Sequence, residues 1–277
     1  MRVHLWWGLM LSIGLLAWGC QAAPAEVEVQ AQQTVYLAPD GDDTASGLRP
    51  EEAFATLARS LNALAGGGEI RVLPGIYHEA VFADAVGSPE NPVSIVGQGD
   101  NVLFDGEQDL AIGFWCTNCQ GIQIENIRFQ GYTDIGVGFL DSREISLVGL
   151  TIESNGHSVQ LRDWVLEGYG LFIESSTGVR IENCEVSDNG PKPPQPGNSL
   201  LGTGINLFRC EECLVRGNRI HHDQGGGVLV EDSHEVRVEA NEIFANDLDA
   251  SAHGWWDGGI WLDGGGQVTI TGNHIYD

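Results

Sequence analysis

The sequence predicts an all-β solenoid of stacked parallel strands with a short capping helix at its N-terminal end. Two observations predict this fold: a glycine-led pattern recurs along the chain, and a constant offset separates each pattern from a second strand-like run. Short alternating runs on a fixed period are typical of units that each bury their apolar face against the next unit. The glycines that precede an apolar-x-apolar triplet are Gly113, Gly136, Gly170, Gly204, Gly227 and Gly259.

The second run begins eight residues after each triplet starts, as Ile122 follows Phe114. The glycine spacings are 23, 34, 34, 23 and 32, so a 23-residue unit carries insertions of 11, 11 and 9 residues. Each insertion (residues 155–167, 189–202 and 246–257) falls between a second run and the next glycine, so we expect all three on one side, which is usually the binding face. The triplets should also form one inward stack of Phe114, Val137, Leu171, Ile205, Val228 and Ile260.

The N-terminal elements precede these repeats. Residues 34–37 are predicted to form a first strand, followed by an acidic turn at 40–43. Pro50 lies where a helix can begin, and glycines at 66–68 end that helix before a strand at 69–73. A helix across the open end of the stack would cover unpaired strand edges. The apolar residues that recur at helical spacing are Phe54, Leu57, Ala58, Leu61 and Leu64.

The sequence further predicts an internal ladder of asparagines. The sixth position of the second run is Asn218, Asn241 and Asn273 in three successive units. Stacked asparagine amides can hydrogen-bond along a solenoid as they do in cross-β ladders. We interpret this ladder as structural.

Residues 1–20 form a predicted signal peptide. The apolar run from Leu5 to Trp18 has about 14 residues and is too short to span a bilayer in comfort. Its end resembles the lipobox of bacterial lipoproteins, which implies lipidation at Cys20, export and anchoring at the periplasmic side or cell surface. An ordinary cleaved signal peptide is the alternative. Residues 21–33 are predicted to be a flexible tether, and residues 34–277 the solenoid domain.

Charge and cysteine spacing limit the partners. The formal charge of −26, from 39 acidic and 13 basic residues, opposes binding to nucleic acid, anionic lipid or a polyanion that no cation bridges. Two CxxC pairs, Cys116/Cys119 and Cys210/Cys213, have zinc-like spacing, but three coils separate them by roughly 14 Å. That distance is too long for one shared ion. Cys116 and Cys184 fall on core positions, and a local disulfide in either pair stays open.

Several N-terminal motifs resemble those of pectate-lyase-like right-handed parallel β-helix proteins. They are the run from Tyr36 to Asp42, the run from Phe54 to Leu57, the run from Val72 to Tyr77, and Pro92 to Ile95. The resemblance implies a right-handed parallel β-helix. That superfamily contains polysaccharide lyases, glycoside hydrolases, epimerases and non-catalytic binding proteins. Because the sequence stops at Asp277 just after a second run starts, we expected it to be truncated at the C-terminus.

Outward positions of the first strands carry the candidate site. Aromatic faces stack on sugar rings, and the predicted substrate-binding residues are Trp261, Phe172, Trp255 and Trp256. The alternative is that the insertions cover these aromatic residues as a satellite core.

Carboxylates on the same edge suggest chemistry. Glu231 and Asp263 occupy equivalent positions in adjacent coils, about 4.8 Å apart, which suits a retaining glycosidase. We predict both to be catalytic, with His222 as a further acid or base. Asp223, Asp257 and Asp263 could instead hold Ca²⁺ through hard oxygen ligands.

The sequence therefore favours a monomeric, exported protein that cleaves an extracellular polysaccharide. Hydrolysis needs the carboxylates alone, whereas a lyase needs a strong base, and Lys192 is the single lysine. The alternative from another class is a non-catalytic glycan-binding or surface-structural solenoid.

Overall fold

The computed structural model describes residues 33–157, 165–192, 199–248 and 258–277. In these residues the chain winds into coils, each of which contributes one strand to each of three parallel sheets. We call them sheets 1, 2 and 3, in the order in which a coil visits them after its glycine. The structure confirms the all-β parallel solenoid.

Sheet 1 contains the strands that follow the glycines and the strand before them. They are β4 (Val81–Asp84), β7 (Ile112–Thr117), β10 (Ile135–Leu140), β14 (Tyr169–Glu174), β18 (Ile205–Phe208), β21 (Val228–Glu231) and β24 (Ile260–Asp263).

Sheet 2 contains the second runs and the N-terminal strands. They are β1 (Gln33–Leu37), β2 (Gly68–Val72), β5 (Val93–Gly97), β8 (Ile122–Glu125), β11 (Ser146–Val148), β15 (Arg180–Glu182), β19 (Leu214–Arg216), β22 (Arg237–Glu239) and β25 (Thr269–Thr271).

Sheet 3 contains a third strand per coil, which the sequence analysis did not predict. Its strands are β3 (Gly75–Tyr77), β6 (Val102–Asp105), β9 (Arg128–Gln130), β12 (Thr151–Glu153), β16 (Glu185–Ser187), β20 (Arg219–His221), β23 (Glu242–Phe244) and β26 (His274–Tyr276).

The predicted inward stack is present. Phe114, Val137, Leu171, Ile205, Val228 and Ile260 are aligned in register along sheet 1. The first five are fully buried and Ile260, in the last coil, is partly buried. Burial of this kind stabilises the fold by roughly 1.5–3 kcal/mol for each large apolar side chain.

Three internal ladders close the corners between the sheets. The predicted asparagine ladder lies between sheets 2 and 3: Asn241 Oδ1 accepts from Asn218 N at 2.9 Å, and Asn273 Oδ1 accepts from Asn241 N at 2.9 Å. Between sheets 1 and 2, serine hydroxyls form the ladder: Ser142 Oγ accepts a hydrogen bond from Cys119 N at 3.0 Å. The third ladder, between sheets 3 and 1, consists of Asn155, Asn189, Asp223 and Asn246.

The corners need the ladders because the backbone turns sharply there. The residue before each rung has a positive φ in most coils, for example Asp141 at 50°, Asn183 at 55° and His222 at 60°. The turned backbone leaves the rung's N–H pointing into the buried interior of the coil. A side-chain oxygen from the next coil satisfies it, which avoids the cost of about 1–3 kcal/mol for an unpaired buried group.

The N-terminal cap differs from the predicted continuous helix. Pro50–Glu52 form one 3₁₀ turn and α1 spans Leu57–Ala63. Phe54 lies between them in extended backbone because its N–H donates to Tyr36 O at 2.8 Å and its carbonyl accepts from Ala38 N. The helix therefore begins after Thr56, and the Glu79 carboxylate accepts from the N–H groups of Leu57 and Ala58 at 2.9 and 3.2 Å.

The insertions leave from one corner, as predicted for the part of the chain that the structure describes. The first residue of each insertion, Asn155, Asn189 or Asn246, is a rung of the ladder between sheets 3 and 1. Each insertion therefore starts at that corner. Two of them also pair with each other, because β13 (Val165–Glu167) and β17 (Ser199–Leu201) form a separate parallel pair. The described parts of the first two insertions thus form a parallel strand pair outside the three main sheets.

The two cysteine pairs differ. Cys116 and Cys119 form a disulfide, whereas Cys184, Cys210 and Cys213 are buried thiols. In the described ranges, no helix is long and apolar enough to cross a membrane. Cys20, the predicted lipidation site, lies outside them.

Replacing Asn241 with Leu should lower the free energy of unfolding by about 1–3 kcal/mol, since Asn218 N would lose its acceptor inside the coil. Denaturant titration of both proteins measures the loss. Asn101→Leu, at an exposed position, is the matched control and should change little. An unchanged stability for the Asn241 variant would show that the ladder contributes nothing to stability.

Candidate functional site

The outer face of sheet 1 carries two aligned rows of side chains. One row contains four large aromatic residues, and the second carries most of the carboxylates. The first row is Phe82, Trp115, Gly138, Phe172, Asn206, Leu229 and Trp261. The second row is Asp84, Thr117, Leu140, Glu174, Phe208, Glu231 and Asp263.

A platform of stacked rings occupies the middle of the first row. The rings of Trp115 and Phe172 are 6.4 Å apart between centroids and 17° from parallel. Tyr169 contacts the Phe172 ring at 4.7 Å, and Trp115 Nε1 donates to Thr117 Oγ1 at 3.0 Å. We call Trp115, Phe172 and Tyr169 the aromatic platform.

Gly138 allows the platform to form. It separates Trp115 from Phe172 by one coil on each side, and the Trp115 ring lies across it. A Cβ atom at Gly138 would lie only 2.4 Å from Trp115 Cε3. The glycine is therefore required here by the ring above it rather than by backbone conformation.

The carboxylate pair lies at the other end of the face. Glu231 on β21 and Asp263 on β24 are in register, so their backbones are about 4.8 Å apart. Glu231 is half-buried and Asp263 is exposed. Asn206 Nδ2, on the neighbouring strand β18, donates to Glu231 Oε2 at 2.7 Å.

Asn206 and Tyr169 connect the pair to the platform. Asn206 is fully buried although it sits on an outward position of sheet 1. Burial, together with the charges of Glu167 and Glu231, raises the pKa of Tyr169, which therefore stays a neutral phenol at ordinary pH. Aromatic rings and carboxylates thus adjoin on one surface, and the buried Asn206 amide supports Glu231 from below. Such a surface can stack a sugar ring and hydrogen-bond its hydroxyl groups.

The structure places the predicted site residues in different regions. Phe172, Glu231, Trp261 and Asp263 lie on the sheet 1 face as expected. Trp261 is half-buried in the last coil. Trp255, Trp256 and Asp257 lie outside the described residues.

His222 is not brought together with the carboxylate pair. It lies at the corner after β20, where its Nδ1 is 2.8 Å from His221 Nδ1 and its ring meets the edge of Phe244. These contacts place it on the sheet 3 side. This position does not support the predicted role of His222 as an acid or base for the pair, because its contacts are with His221 and Phe244 rather than with residues of sheet 1.

Asp223 is also misplaced by the prediction. We expected an exposed ligand beside Glu231, but the side chain is fully buried as a rung of the sheet 3–1 ladder. It is not available to an ion on the sheet 1 face. Within the part of the chain that the structure describes, no group of three or more His, Cys, Asp or Glu residues could hold a metal ion.

Sequence reasoning missed three features. Two of them are Asn206, the partner of Glu231, and Gly138, over which the Trp115 ring lies. Both residues belong to the outward row, but their roles depend on side chains in other coils. On sheet 3, His221, Phe244 and Tyr276 stack at 4.7 and 4.9 Å. Their spacing of 23 and 32 residues, the same as that of the glycines, could have revealed that stack.

Two family models match parts of the chain. Residues 95–201 match the one described as a right handed beta helix region. Residues 167–277 match the one described as periplasmic copper-binding protein (NosD).

One relative and two solved structures are similar to the chain. The uncharacterized protein YwoF of Bacillus subtilis (strain 168) is 24% identical over 272 residues, which are 88% of this chain and 56% of YwoF. Pectate lyase Pel9A has a TM-score of 0.67 at 15% identity, over 90% of this chain and 63% of that chain. A double mutant of the periplasmic alginate epimerase AlgG has a TM-score of 0.45 at 14% identity, over 76% and 60%.

These comparisons establish the fold. The right-handed β-helix match and the likeness to Pel9A show that the chain has a right-handed parallel β-helix fold. The chain spans little more than half of YwoF and less than two thirds of Pel9A.

Gly138→Ala should break the Trp115–Phe172 stack because the new methyl group occupies the place of the Trp115 ring. Losing the ring pair costs about 0.5–1.5 kcal/mol, and removing a strand glycine returns about 0.5–1 kcal/mol. We therefore expect a nearly unchanged melting temperature together with a loss of ring contacts in nuclear Overhauser spectra. Retained contacts between Trp115 and Phe172 would show that Gly138 does not set the platform.

Proposed function

We propose that the protein is an exported carbohydrate-active β-helix protein that binds a polysaccharide on the outer face of sheet 1 and cleaves it with Glu231 and Asp263. The observation that carries the proposal is the register of these two carboxylates on adjacent coils, on the same face as the aromatic platform. Carboxyl groups roughly 5–5.5 Å apart suit a retaining glycosidase.

The surroundings of the two carboxylates support different roles for them in this proposal. Glu231 accepts from the buried Asn206 amide, and such a donor stabilises the charged form that a nucleophile needs. Asp263 is exposed on the neighbouring strand, where it can donate a proton to the leaving oxygen and later activate water. Glu231 would attack the anomeric carbon, and the covalent intermediate would then be hydrolysed.

The aromatic row supports binding of a chain rather than of a single sugar. Phe82 and Trp261 are six strands apart in sheet 1, which corresponds to about 29 Å at roughly 4.8 Å per strand. Phe82 is 63% exposed at one end, and the platform lies between. An extended ligand could contact ring faces along this whole distance.

Hydrolysis fits the described residues better than lysis does. A lyase would need a base beside the sugar, but Lys192 pairs with Asp188 at 2.7 Å. Arg209, which follows β18, places its guanidinium over the Phe208 ring at 4.3 Å and is charged at any ordinary pH. The structural neighbour Pel9A is a pectate lyase by name, which supports a carbohydrate partner. The NosD family model is described as periplasmic, which supports export.

A non-catalytic glycan-binding role is the second candidate. The observation that favours it is the extent of the aromatic row, since Phe82 and Trp115 lie several coils from the carboxylate pair. Such a surface can hold a glycan without cleaving it. Lipidation at Cys20 and a monomeric state remain part of the proposal in either case.

Glu231→Gln should lower kcat on the polysaccharide that a glycan screen identifies by at least about 10²-fold, while the dissociation constant stays nearly unchanged. Glutamine keeps the size and one acceptor but cannot attack as an anion. Reducing-end release and calorimetry measure the two quantities. Trp261→Ala should instead raise KM before it changes kcat.

The matched control is Glu235→Gln, an exposed glutamate away from sheet 1, which should change neither quantity. Wild-type turnover by the Glu231 variant would assign the chemistry to other residues. Binding without turnover by the wild-type protein on every glycan tested would favour the second candidate.

Calcium tests the lyase version, in which Asp257 and Asp263 share an ion. If they do, millimolar calcium should raise the melting temperature by mass action, and Asp263→Ala should blunt the rise. The control variant Asp100→Ala, at an exposed position in an early coil, should leave that rise unchanged. No response in the wild-type protein would leave hydrolysis or binding and remove the lyase version.

A further inference from the structure

The sheet 3–1 ladder contains one acid among its amides. Asn155, Asn189 and Asn246 each donate an Nδ2 hydrogen to a carbonyl of an earlier coil, those of Phe129, Ile152 and Ile220, all at 3.0 Å. Asp223 occupies the equivalent position and is fully buried. An ionised carboxylate has no hydrogen to donate there.

The two Asp223 oxygens have different surroundings. Oδ1 accepts from Asn189 N at 2.8 Å and from Asn189 Nδ2 at 3.0 Å, as the amide oxygens do elsewhere in the ladder. Oδ2 is buried and has no hydrogen-bond partner among the described residues.

Oδ2 stands where the other rungs have nitrogen. A Cβ atom at Gly204 would lie 2.4 Å from Asp223 Oδ2, and one at Gly227 would lie 2.8 Å from Asn246 Nδ2. By the register of the ladder, the groups that face this position are the Val186 carbonyl and Asn246 Oδ1, which are both acceptors. A bare oxygen anion would therefore face acceptors in the buried interior of the coil.

We propose that Asp223 is a neutral carboxylic acid in the folded protein, whose Oδ2–H group takes the place of the asparagine amide and makes the stability of this coil depend on pH. A protonated carboxyl has one donor and one free acceptor, which is what a rung of this ladder requires. Burial of an ionised carboxylate without donors on both oxygens would be strongly unfavourable.

The acidic groups around Asp223 also favour its neutral form. Asp188 precedes the Asn189 rung one coil earlier, and Asp247 follows the Asn246 rung one coil later. His222 is the adjacent residue but projects outward, and Lys192 is engaged by Asp188. Burial, with a smaller contribution from Asp188, raises the pKa of Asp223 to about 8, against the donors of Asn189.

The direction of the pH dependence follows from a folded-state pKa above the unfolded value of 3.8. Below about pH 4 Asp223 is protonated in both the folded and the unfolded state, so it adds no pH dependence to the free energy of unfolding. Between about pH 4 and 8 folding takes up a proton, so the folding equilibrium constant falls about tenfold per pH unit from this group. Above about pH 8 the loss is complete.

This coil adjoins the candidate site. Gly204, which Asp223 Oδ2 approaches, lies two residues before Asn206, and Asn206 holds Glu231. Ionisation of Asp223 would thus disturb the strand that positions one of the proposed catalytic carboxylates.

Asp223→Asn tests the proposal, because asparagine already fills the other rungs of this ladder and so should fold. Urea titrations of both proteins at several pH values give the ratio of their folding equilibrium constants. The ratio should be near one at pH 4, rise about tenfold per pH unit in favour of the variant between pH 5 and 7, and level off above about pH 8. Asp232→Asn, at an exposed corner, should show no such rise.

A second measurement is independent of stability. Isotope-edited infrared spectra at pH 6 should show a protonated carboxyl C=O band in the wild-type protein that is absent from the Asp223 variant. A ratio that does not change with pH, or the absence of that band, would overturn the proposal. The test does not involve the glycan, so its outcome is separate from that of the proposed function.

Discussion

The fold depends on the in-register stacking of parallel coils. Because each coil repeats the path of the previous one, every strand inside a sheet finds backbone partners above and below, and the backbone groups that lack such partners lie at the corners. There the chain turns through residues such as Asp141, Asn183 and His222 with positive φ, which leaves N–H groups inside the coil. The asparagine and serine ladders satisfy them, and the sheets stay aligned because the ladders hold the corners.

The same stacking creates the candidate site. On the outer face of sheet 1, register makes neighbours of residues that are far apart in the sequence, as with Asn206 and Glu231 in adjacent coils or Trp115 and Phe172 two coils apart. The insertions leave from the adjacent corner, and the described parts of the first two pair with each other as parallel strands. Rings, amide and carboxylates meet there although no short sequence motif unites them.

Much of the fold could be predicted from the sequence, because a repeat constrains every copy at once. The glycine-led triplets and the constant offset gave sheets 1 and 2, the inward stack and one ladder. Sheet 3 was missed since its strands have three or four residues and merge with the insertions in the sequence. That omission misplaced His222 and Asp223. Gly138 and Asn206 were visible, but their roles depend on side-chain contacts between coils, which periodicity does not report.

The stacked architecture makes the molecule nearly one-dimensional. A coil contacts the coils immediately above and below, so its stability depends on those two neighbours. Unfolding therefore spreads as the boundary between folded and unfolded coils advances along the axis. The Cys116–Cys119 disulfide links two residues of one coil, and it therefore cannot stop such a boundary from passing between coils. Under a force along the axis, the protein should unravel coil by coil in discrete steps, with the weakest rung deciding where the first step occurs.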